Sequence, residues 1–583
     1  MSEQAAPNST TENAVDVGDA FIDPMKLAGA AMRLLTEDPR FKVGEAEIRG
    51  QTYRVFENAP PSLVGLFELG AVNGGDKDFI IFRDEVLSFQ ETWDQARRFA
   101  NGLKAKYGVG KGDKVGIAMR NYPEFCTAYM GIVSLGAIVV PLNAWWKTEE
   151  LEYAIRDSDV HKIVVDAKRL ELLKPIRKQE DLTLILAREE AEGADGRFED
   201  VVAAGEPTTP QVDIDPEDDF CIVYTSGSTG NPKGVVLTHR GAVNALMSWG
   251  FLAASVMEAR DGVSLFGDNP GILLGIPLFH VTGSHAIFLM SWLIGRRIAM
   301  VYKWSAADAC ETIRKHELTN FVGVPAQSYE LMDAAGPEGL PSLLDIGSGG
   351  AKRPPEHVKR LKERFAKANP SSGYGMSETN AIGAVCSLSD YQRKPDAAGK
   401  PVPPLTDIKI VGDDGDCAVG EVGEVWIRSV VNLRCYHNLP EATAKAITPD
   451  GWFRTGDLGK FDEEGFLYIV DRIKDLIIRG GENISCLEVE GHAYAHGDVA
   501  EACVFAVPDD VLNERVGMVV FPKEGMTIDP QHLRDFMAED LANFKVPERI
   551  WISPVQLPRL GTAKFDKITI KRLALQQPPH WKA

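Results

Sequence analysis

Between Ser88 and Ala167, helix-like and strand-like segments alternate without a break, and every strand-like segment is apolar on both faces. "SFQETWDQARRFANGLKAKYG" opens on a capping Ser or Gln, carries Trp93, Ala96, Phe99 and Leu103 at helical spacing, and stops at Gly108. "KVGIAM", "AIVVPL" and "KIVVDA" are short apolar runs, separated by the helical patterns "EFCTAYMGIVSLG" and "EELEYAIRDSD". A strand without a polar face has to be covered on both sides, so these runs require parallel sheets with helices packed above and below. The pattern restarts at "FCIVYTS". A chain of 583 residues exceeds one compact core, so at least two domains follow.

Near residue 400 the texture changes. "DIKIVGDDGDCAVGEVGEVWIRS" places charged turns between short strands, as in a small β unit. The last hundred or so residues form an α+β pattern, with a boundary near Asp471–Lys474. The expected division is a tail over 1–24, a large domain over 25–473 and a small one over 474–583. The opening "MSEQAAPNSTTENAVDVGDA" is polar and acidic, and reads as a disordered tail without the basic start of a secretory signal. The most membrane-like run, Tyr129–Trp146, contains Gly131, Gly136, Pro141 and Asn143, and reads as a helix that breaks at Gly136 before a buried strand. No membrane span is expected, and the location is read as cytoplasmic. A net charge of −21 argues against nucleic-acid partners, which need clustered cations. The eight cysteines are scattered without paired spacing, so neither a disulfide framework nor a zinc site is expected.

The stretch "YTSGSTGNPKG" follows the buried-strand pattern "FCIVY" and precedes another, "GVVLTH". The hydroxyls of Thr225, Ser226, Ser228 and Thr229, and the backbone N–H groups freed by Gly227 and Gly230, can converge on one anion, with Lys233 adding charge. By composition this is a phosphate cradle. It is not a Walker A loop, because Gly234 rather than Ser or Thr follows the lysine.

Four further segments follow in order: "GYGMSETN" (Gly373–Asn380), "GWFRTGDLG" (Gly451–Gly459), "DRIKDLIIRGGENIS" (Asp471–Ser485) and "LPRLGTAKFDK" (Leu557–Lys567). Together the five segments resemble the core motifs of the adenylate-forming superfamily of acyl-CoA synthetases, nonribosomal adenylation domains and luciferase. The resemblance covers roughly residues 60–575. It implies an α/β fold with a large N-terminal domain of layered β-sheets with covering helices, and a small mobile α+β C-terminal domain. It also implies ATP, Mg²⁺ and coenzyme A as cofactors, and a small-molecule carboxylic acid as substrate.

By that resemblance the Thr225–Lys233 loop holds the β- and γ-phosphates, while Thr225 and Glu378 share the Mg²⁺. One carboxylate and one hydroxyl suit a hard ion that keeps several waters. Tyr374 would lie against the adenine, within the nucleotide-binding run of Tyr374, Gly375, Met376, Ser377 and Glu378. Asp457 would accept both ribose hydroxyls and Arg472 would also reach the ribose. Lys564 would bridge the attacking carboxylate and the α-phosphate, where charge neutralisation and in-line positioning carry the reaction. The family pattern there is Pro-Arg-Thr-x-x-Gly-Lys; Pro558, Arg559 and Lys564 keep it, whereas Leu560 and Ala563 depart from it.

"GSGGAK" (Gly347–Lys352) would line the acyl site, its glycines leaving room beside the reacting carboxylate and Gly350 and Ala351 counting among the cofactor-binding residues, and Trp249, Phe279 and Val281 are candidate apolar walls. Amino-acid-activating relatives carry an Asp against the substrate ammonium; here His280 stands nearby, and an unpaired buried ammonium is costly. His280 is read as a gate or packing residue of a site for a fatty or aryl acid. Gly480 and Gly481 would line the pantetheine tunnel after the small domain rotates about Lys474. The expected activity is that of an AMP-forming acyl-CoA synthetase. A ligase loading a separate carrier protein and a degenerate adenylate-binding protein stay open, as does the choice between monomer and homodimer.

Overall fold

The structure is a computed structural model that describes residues 22–225, 232–560 and 564–582. Residues 1–21, Ser226, Gly227, Ser228, Thr229, Gly230 and Ala563 lie outside the described residues, so the readings made on them do too. The end of the expected tail belongs to the fold: Ile22 is buried, and Asp23 caps a helix, Pro24–Glu37, by accepting from the Met25 amide.

The alternating pattern folds as its chemistry requires. Ser88 caps a helix, Phe89–Tyr107: its hydroxyl accepts from the Glu91 amide and the Glu91 carboxylate accepts from the Ser88 amide. Gly108 ends that helix in the left-handed region, at φ 65°. Trp93, Ala96, Phe99 and Leu103 are all buried. The three apolar runs become strands Lys114–Ala118, Ile138–Pro141 and Lys162–Val165, paired in parallel and buried along nearly their whole length.

Among the described residues, two large sheets carry the N-terminal part. An eight-stranded sheet runs in the order 435–436, 233–238, 219–225, 138–141, 114–118, 162–165, 183–186 and 196–197. It is parallel from 219–225 to its far edge and antiparallel at the hairpin that pairs Thr225 with Lys233. That hairpin departs from the parallel expectation because the link between the two strands is far too short for a crossover helix. A nine-stranded sheet runs 400–401, 384–386, 369–374, 345–349, 320–323, 271–274, 297–300, 78–82 and 85–88, with a parallel centre and antiparallel edges.

The largest apolar cluster joins residues of both sheets to the helices between them, with Phe79, Phe89 and Trp292 in ring contact. Fully burying such a side chain contributes about 1.5–3 kcal/mol. The run Tyr129–Trp146 breaks as expected: its helix, Pro123–Ser134, ends before Gly136, at φ 65°, and a buried strand follows. Another helix, His239–Ala259, is by length and composition long and apolar enough to cross a membrane, but 61% of its apolar window is buried inside the protein. All eight cysteines carry free thiols.

A five-stranded antiparallel sheet follows, built from 407–412, 415–416, 423–428, 453–461 and 467–472. After the 3-10 turn Ile473–Asp475 the chain starts another sheet, with strands 477–479, 482–484, 499–509, 513–522, 549–552 and 581–582. Helices Cys486–Ala495, Pro530–Ala538 and Lys567–Leu575 accompany it. The whole is the mixed α/β architecture with a smaller α+β C-terminal part that the sequence pattern implies.

Candidate active site

Ligands of open parallel sheets gather at the carboxyl ends of the strands. Thr225 ends such a strand in the eight-stranded sheet, and Gly349 and Tyr374 end two neighbouring ones in the nine-stranded sheet, so three of the sequence segments start at carboxyl ends of strands.

Tyr374 and Asp457 meet directly. The Tyr374 hydroxyl donates to Asp457 Oδ2 at 2.8 Å. Asp457 pairs in register with Arg472 across the antiparallel strands, and Arg472 Nε lies 3.2 Å from Asp457 Oδ1. Burial pushes the Asp457 carboxyl above the usual range, while Arg472, the Tyr374 hydroxyl, Lys564 and Lys474 all oppose that shift. Burial likewise pushes the Tyr374 phenol up, and the Asp457 charge adds to it.

Glu378 sits in a single 3-10 turn, Ser377–Thr379, whose shape needs Gly375 to pass close to the chain: a Cβ there would stand 2.4 Å from the Ala381 carbonyl oxygen. Met376 caps that turn and Ser377 is buried. The Glu378 side chain accepts from the Tyr436 hydroxyl at 2.9 Å, and burial raises its pKa. The Lys233 ammonium lies over the Tyr436 ring, 4.8 Å from its centre. Tyr436 lies outside all five segments and carries no local signal; only the pairing of Val235 with Tyr436 brings it here.

Lys564 comes from the C-terminal part and reaches this cluster. A Cβ placed on Gly350, itself at φ 76°, would lie 3.1 Å from Lys564 Cε. Any side chain at Gly350 would therefore crowd the lysine. Burial lowers the Lys564 ammonium to about 8; Arg472 and Lys474 push the same way, and Asp457 and Glu378 oppose them. The loop closes through backbone: the Leu560 amide donates to the Lys564 carbonyl at 2.8 Å, and Arg559 bridges to Phe565. These contacts do not depend on the side chain at 560, so the departure from threonine leaves the closure in place.

His280 precedes a π-helical stretch, Thr282–Leu289, a rare winding that is frequent at functional sites. Its Nδ1 accepts from the Thr282 amide at 3.3 Å, which puts the ring proton on Nε2. Burial, with Lys564 and His285 adding to it, drops its pKa to about 3, so the ring is neutral and cannot repel the lysine. Phe279 and Val281 are buried members of the largest core cluster and Trp249 packs against it, so burial alone does not separate pocket wall from core.

Ala351 is exposed beside Gly350. Lys474 lies in the turn Ile473–Asp475, where desolvation and Arg472 draw its ammonium down. Gly480 and Gly481 are not brought to the cluster. They form the tip of the hairpin 477–484, at φ 58° and 93°; both are exposed, and the Gly480 amide donates to the carbonyl of Leu512, in the turn between strands 499–509 and 513–522.

The donors present fit a magnesium ion. Among the described residues no group of three or more His, Cys, Asp or Glu could cage a metal. Glu378 is a partly desolvated carboxylate with one neutral donor, the kind of single oxygen ligand that suits an ion also bound by phosphates and water; the Thr225 hydroxyl, which donates to the Lys233 carbonyl at 3.4 Å, would be its second protein ligand. When bound, the ion would neutralise phosphate charge.

A strand–loop–strand of phosphate-cradle composition, a Tyr–Arg pair gathered on the buried Asp457 and a lysine delivered by a separate C-terminal unit are the features of an adenylate-forming enzyme. The comparisons agree. The model of AMP-binding enzymes matches residues 67–437, and that of the AMP-binding enzyme C-terminal domain matches residues 488–564. A long-chain-fatty-acid–CoA ligase of Bacillus subtilis is 33% identical over 530 residues, covering 84% of this chain and 90% of the relative. 4-Coumarate–CoA ligase 2 of Solanum tuberosum is 30% identical over 480 residues, covering 80% and 85%. Among solved structures, o-succinylbenzoate CoA synthetase of Bacillus subtilis with its acyl-adenylate has a TM-score of 0.75 at 27% identity, covering 88% of this chain and 98% of that one; it is also solved with ATP and magnesium ion, at a TM-score of 0.72 and 26% identity, covering 87% and 99%. The chain belongs to the AMP-binding enzyme family of the adenylate-forming superfamily, and its class is that of the AMP-forming carboxylate–CoA ligases.

Proposed function

We propose that this enzyme joins a medium- or long-chain fatty acid, or an aryl acid, to coenzyme A in two steps. In the first, a carboxylate oxygen of the acid attacks the α-phosphorus of ATP; the bond to pyrophosphate breaks and an acyl-adenylate forms. In the second, the thiol of coenzyme A attacks the acyl carbonyl, AMP leaves with the bonding pair, and the thiol proton passes to solvent.

The observation that carries this reading is the meeting of Lys564 with Gly350 beside Asp457 and Glu378. Two anions must approach each other in the first step, and a preorganised cation in a water-poor site lowers that barrier most. Asp457 and Arg472 would offer paired acceptor and donor positions for the ribose, and Lys233, whose ammonium lies over the Tyr436 ring, would meet the phosphates. The neutral His280 ring and the apolar Phe279 and Val281 beside it suit an uncharged acyl chain. The relatives named for long-chain fatty acids and for 4-coumarate support the choice between aliphatic and aryl acids.

The test is a panel of fatty, aryl and short-chain acids with ATP, Mg²⁺ and coenzyme A, reading AMP release and thioester. Acid-dependent pyrophosphate exchange together with thioester on free coenzyme A is the expected result. Exchange without thioester would move the acceptor to a carrier protein. No exchange with any acid would leave only nucleotide binding.

A further inference from the structure

Lys564 works only while the C-terminal part stands where it does, and the structure shows what holds it. Asp471 is the next-to-last residue of the strand Leu467–Arg472 and is 2% exposed. Its Oδ2 accepts from the Leu487 amide at 3.2 Å, and the Ser485 hydroxyl lies 2.9 Å from both Asp471 Oδ2 and the Val470 carbonyl oxygen. Ser485 is the cap of the helix Cys486–Ala495, and its Oγ also accepts from the Glu488 amide. Asp471 thus acts as a second, outside cap on that helix, with its charge at the positive end of the dipole.

These bonds span the turn Ile473–Asp475. Residues 470 and 471 precede it, and 485 and 487 follow it. Beyond the turn, the Cys486 thiol donates to the Asp475 carbonyl at 3.1 Å. The capped helix then leads to the catalytic loop. Its Glu490 is buried, accepts from the Val504 amide, and pairs at 3.1 Å with Lys567, the first residue of the helix that begins three residues after Lys564. The other side of the loop is tied to the same sheet: Glu501 accepts from the Leu557 amide at 2.7 Å and from Arg559 Nη2 at 2.6 Å.

We propose that Asp471 is a positioning residue for the first half-reaction, holding Lys564 at Gly350 through the N-terminus of the helix Cys486–Ala495 and the Glu490–Lys567 ion pair. The proposal rests on the two-step reading given above. A rotation about Lys474 separates residues 470–471 from 485–487, so Asp471 must release Ser485 and Leu487 before the second half-reaction. On this proposal the contacts hold in the present arrangement and break on rotation, which is the differential interaction that a two-state balance requires. Asp471 is in this sense a latch on the adenylate-forming arrangement.

The experiment measures the two half-reactions separately in the full-length enzyme. Acid-dependent pyrophosphate exchange reads the first; thioester formation from a synthetic acyl-adenylate and coenzyme A reads the second. Asp471→Ala is expected to slow exchange about tenfold, the worth of one charge-assisted hydrogen bond, and to leave thioester formation equal to or faster than wild type. Ser485→Ala, a milder change, is expected to act several-fold in the same direction, and Asp471→Asn to recover part of the exchange rate because it keeps an acceptor. A helix that merely lost stability would slow both steps together. With a wild type competent in both steps, variants that slow the two equally, or neither, would overturn the latch alone. A wild type with neither half-reaction would remove the functional reading and this proposal with it.

Discussion

Lys564 and the Gly480–Gly481 hairpin belong to the same C-terminal part, yet the structure treats them oppositely. Lys564 is drawn into the cluster of Gly350, Asp457 and Glu378 and loses much of its hydration; the hairpin stays exposed, bonded to Leu512 in a turn of its own C-terminal part. One arrangement therefore presents one of the two motifs. The contrast gives the proposed two-step scheme a physical reason: a single rigid unit cannot show both faces to one site, so it has to turn between steps.

The strongest way to break the comparison is Lys564→Ala. Removing one preorganised donor costs about 10²–10³ in rate, so pyrophosphate exchange should fall by that factor, while thioester formation from a ready-made acyl-adenylate should hold near its original rate.

Next comes the pivot. Lys474→Pro fixes φ near −65° and removes a backbone donor. Acyl-adenylate should still form and then accumulate, with thioester formation slowed tens-fold, measured by quenched-flow of both products. Full overall turnover in this variant would place the pivot elsewhere.

A third test takes the hairpin itself. Gly481 has φ 93°, where a side chain is strained. Gly481→Ala should slow thioester formation roughly tenfold and leave exchange alone, because the hairpin is remote from Lys564 in this arrangement.

The smallest expected effect is on pH. Lys564 must be protonated to neutralise the reacting anions, and its pKa is lowered to about 8. The efficiency of exchange, measured as kcat/KM on the free enzyme, should decline as pH rises through about 8. Stability moves the other way. Between about 8 and the unfolded lysine value near 10.5 the unfolded chain binds more protons, so this group's contribution rises with pH as the buried charge is relieved. His280 stays neutral above about 3 and should leave no inflection near 6.5.

What the sequence made legible was whatever chemistry is local. The helix Phe89–Tyr107 could be read because its cap, its apolar spacing and its terminal glycine all lie within one stretch. The strands flanking the phosphate-type loop could be read from their apolar runs, and the ordered segments pointed to Tyr374, Glu378, Asp457 and Lys564. What stayed hidden is made by long-range pairing. Tyr436 reaches Glu378 only through a two-residue strand at a sheet edge, and Asp471 and Ser485 meet only because the chain folds back across a turn. Tyr436 is a common residue type in a stretch outside the five segments; Asp471 and Ser485 are the two ends of one of them, but nothing in its residues says that these ends meet across the pivot.

The central claim is that Lys564 and the hairpin serve different steps from different arrangements of one unit. It is tested most directly by measuring both half-reactions on Lys564→Ala and Gly481→Ala prepared side by side. The account predicts a crossing: the lysine variant loses exchange and keeps thioester formation, and the glycine variant keeps exchange and loses thioester formation. Equal losses in both steps for both variants would contradict it.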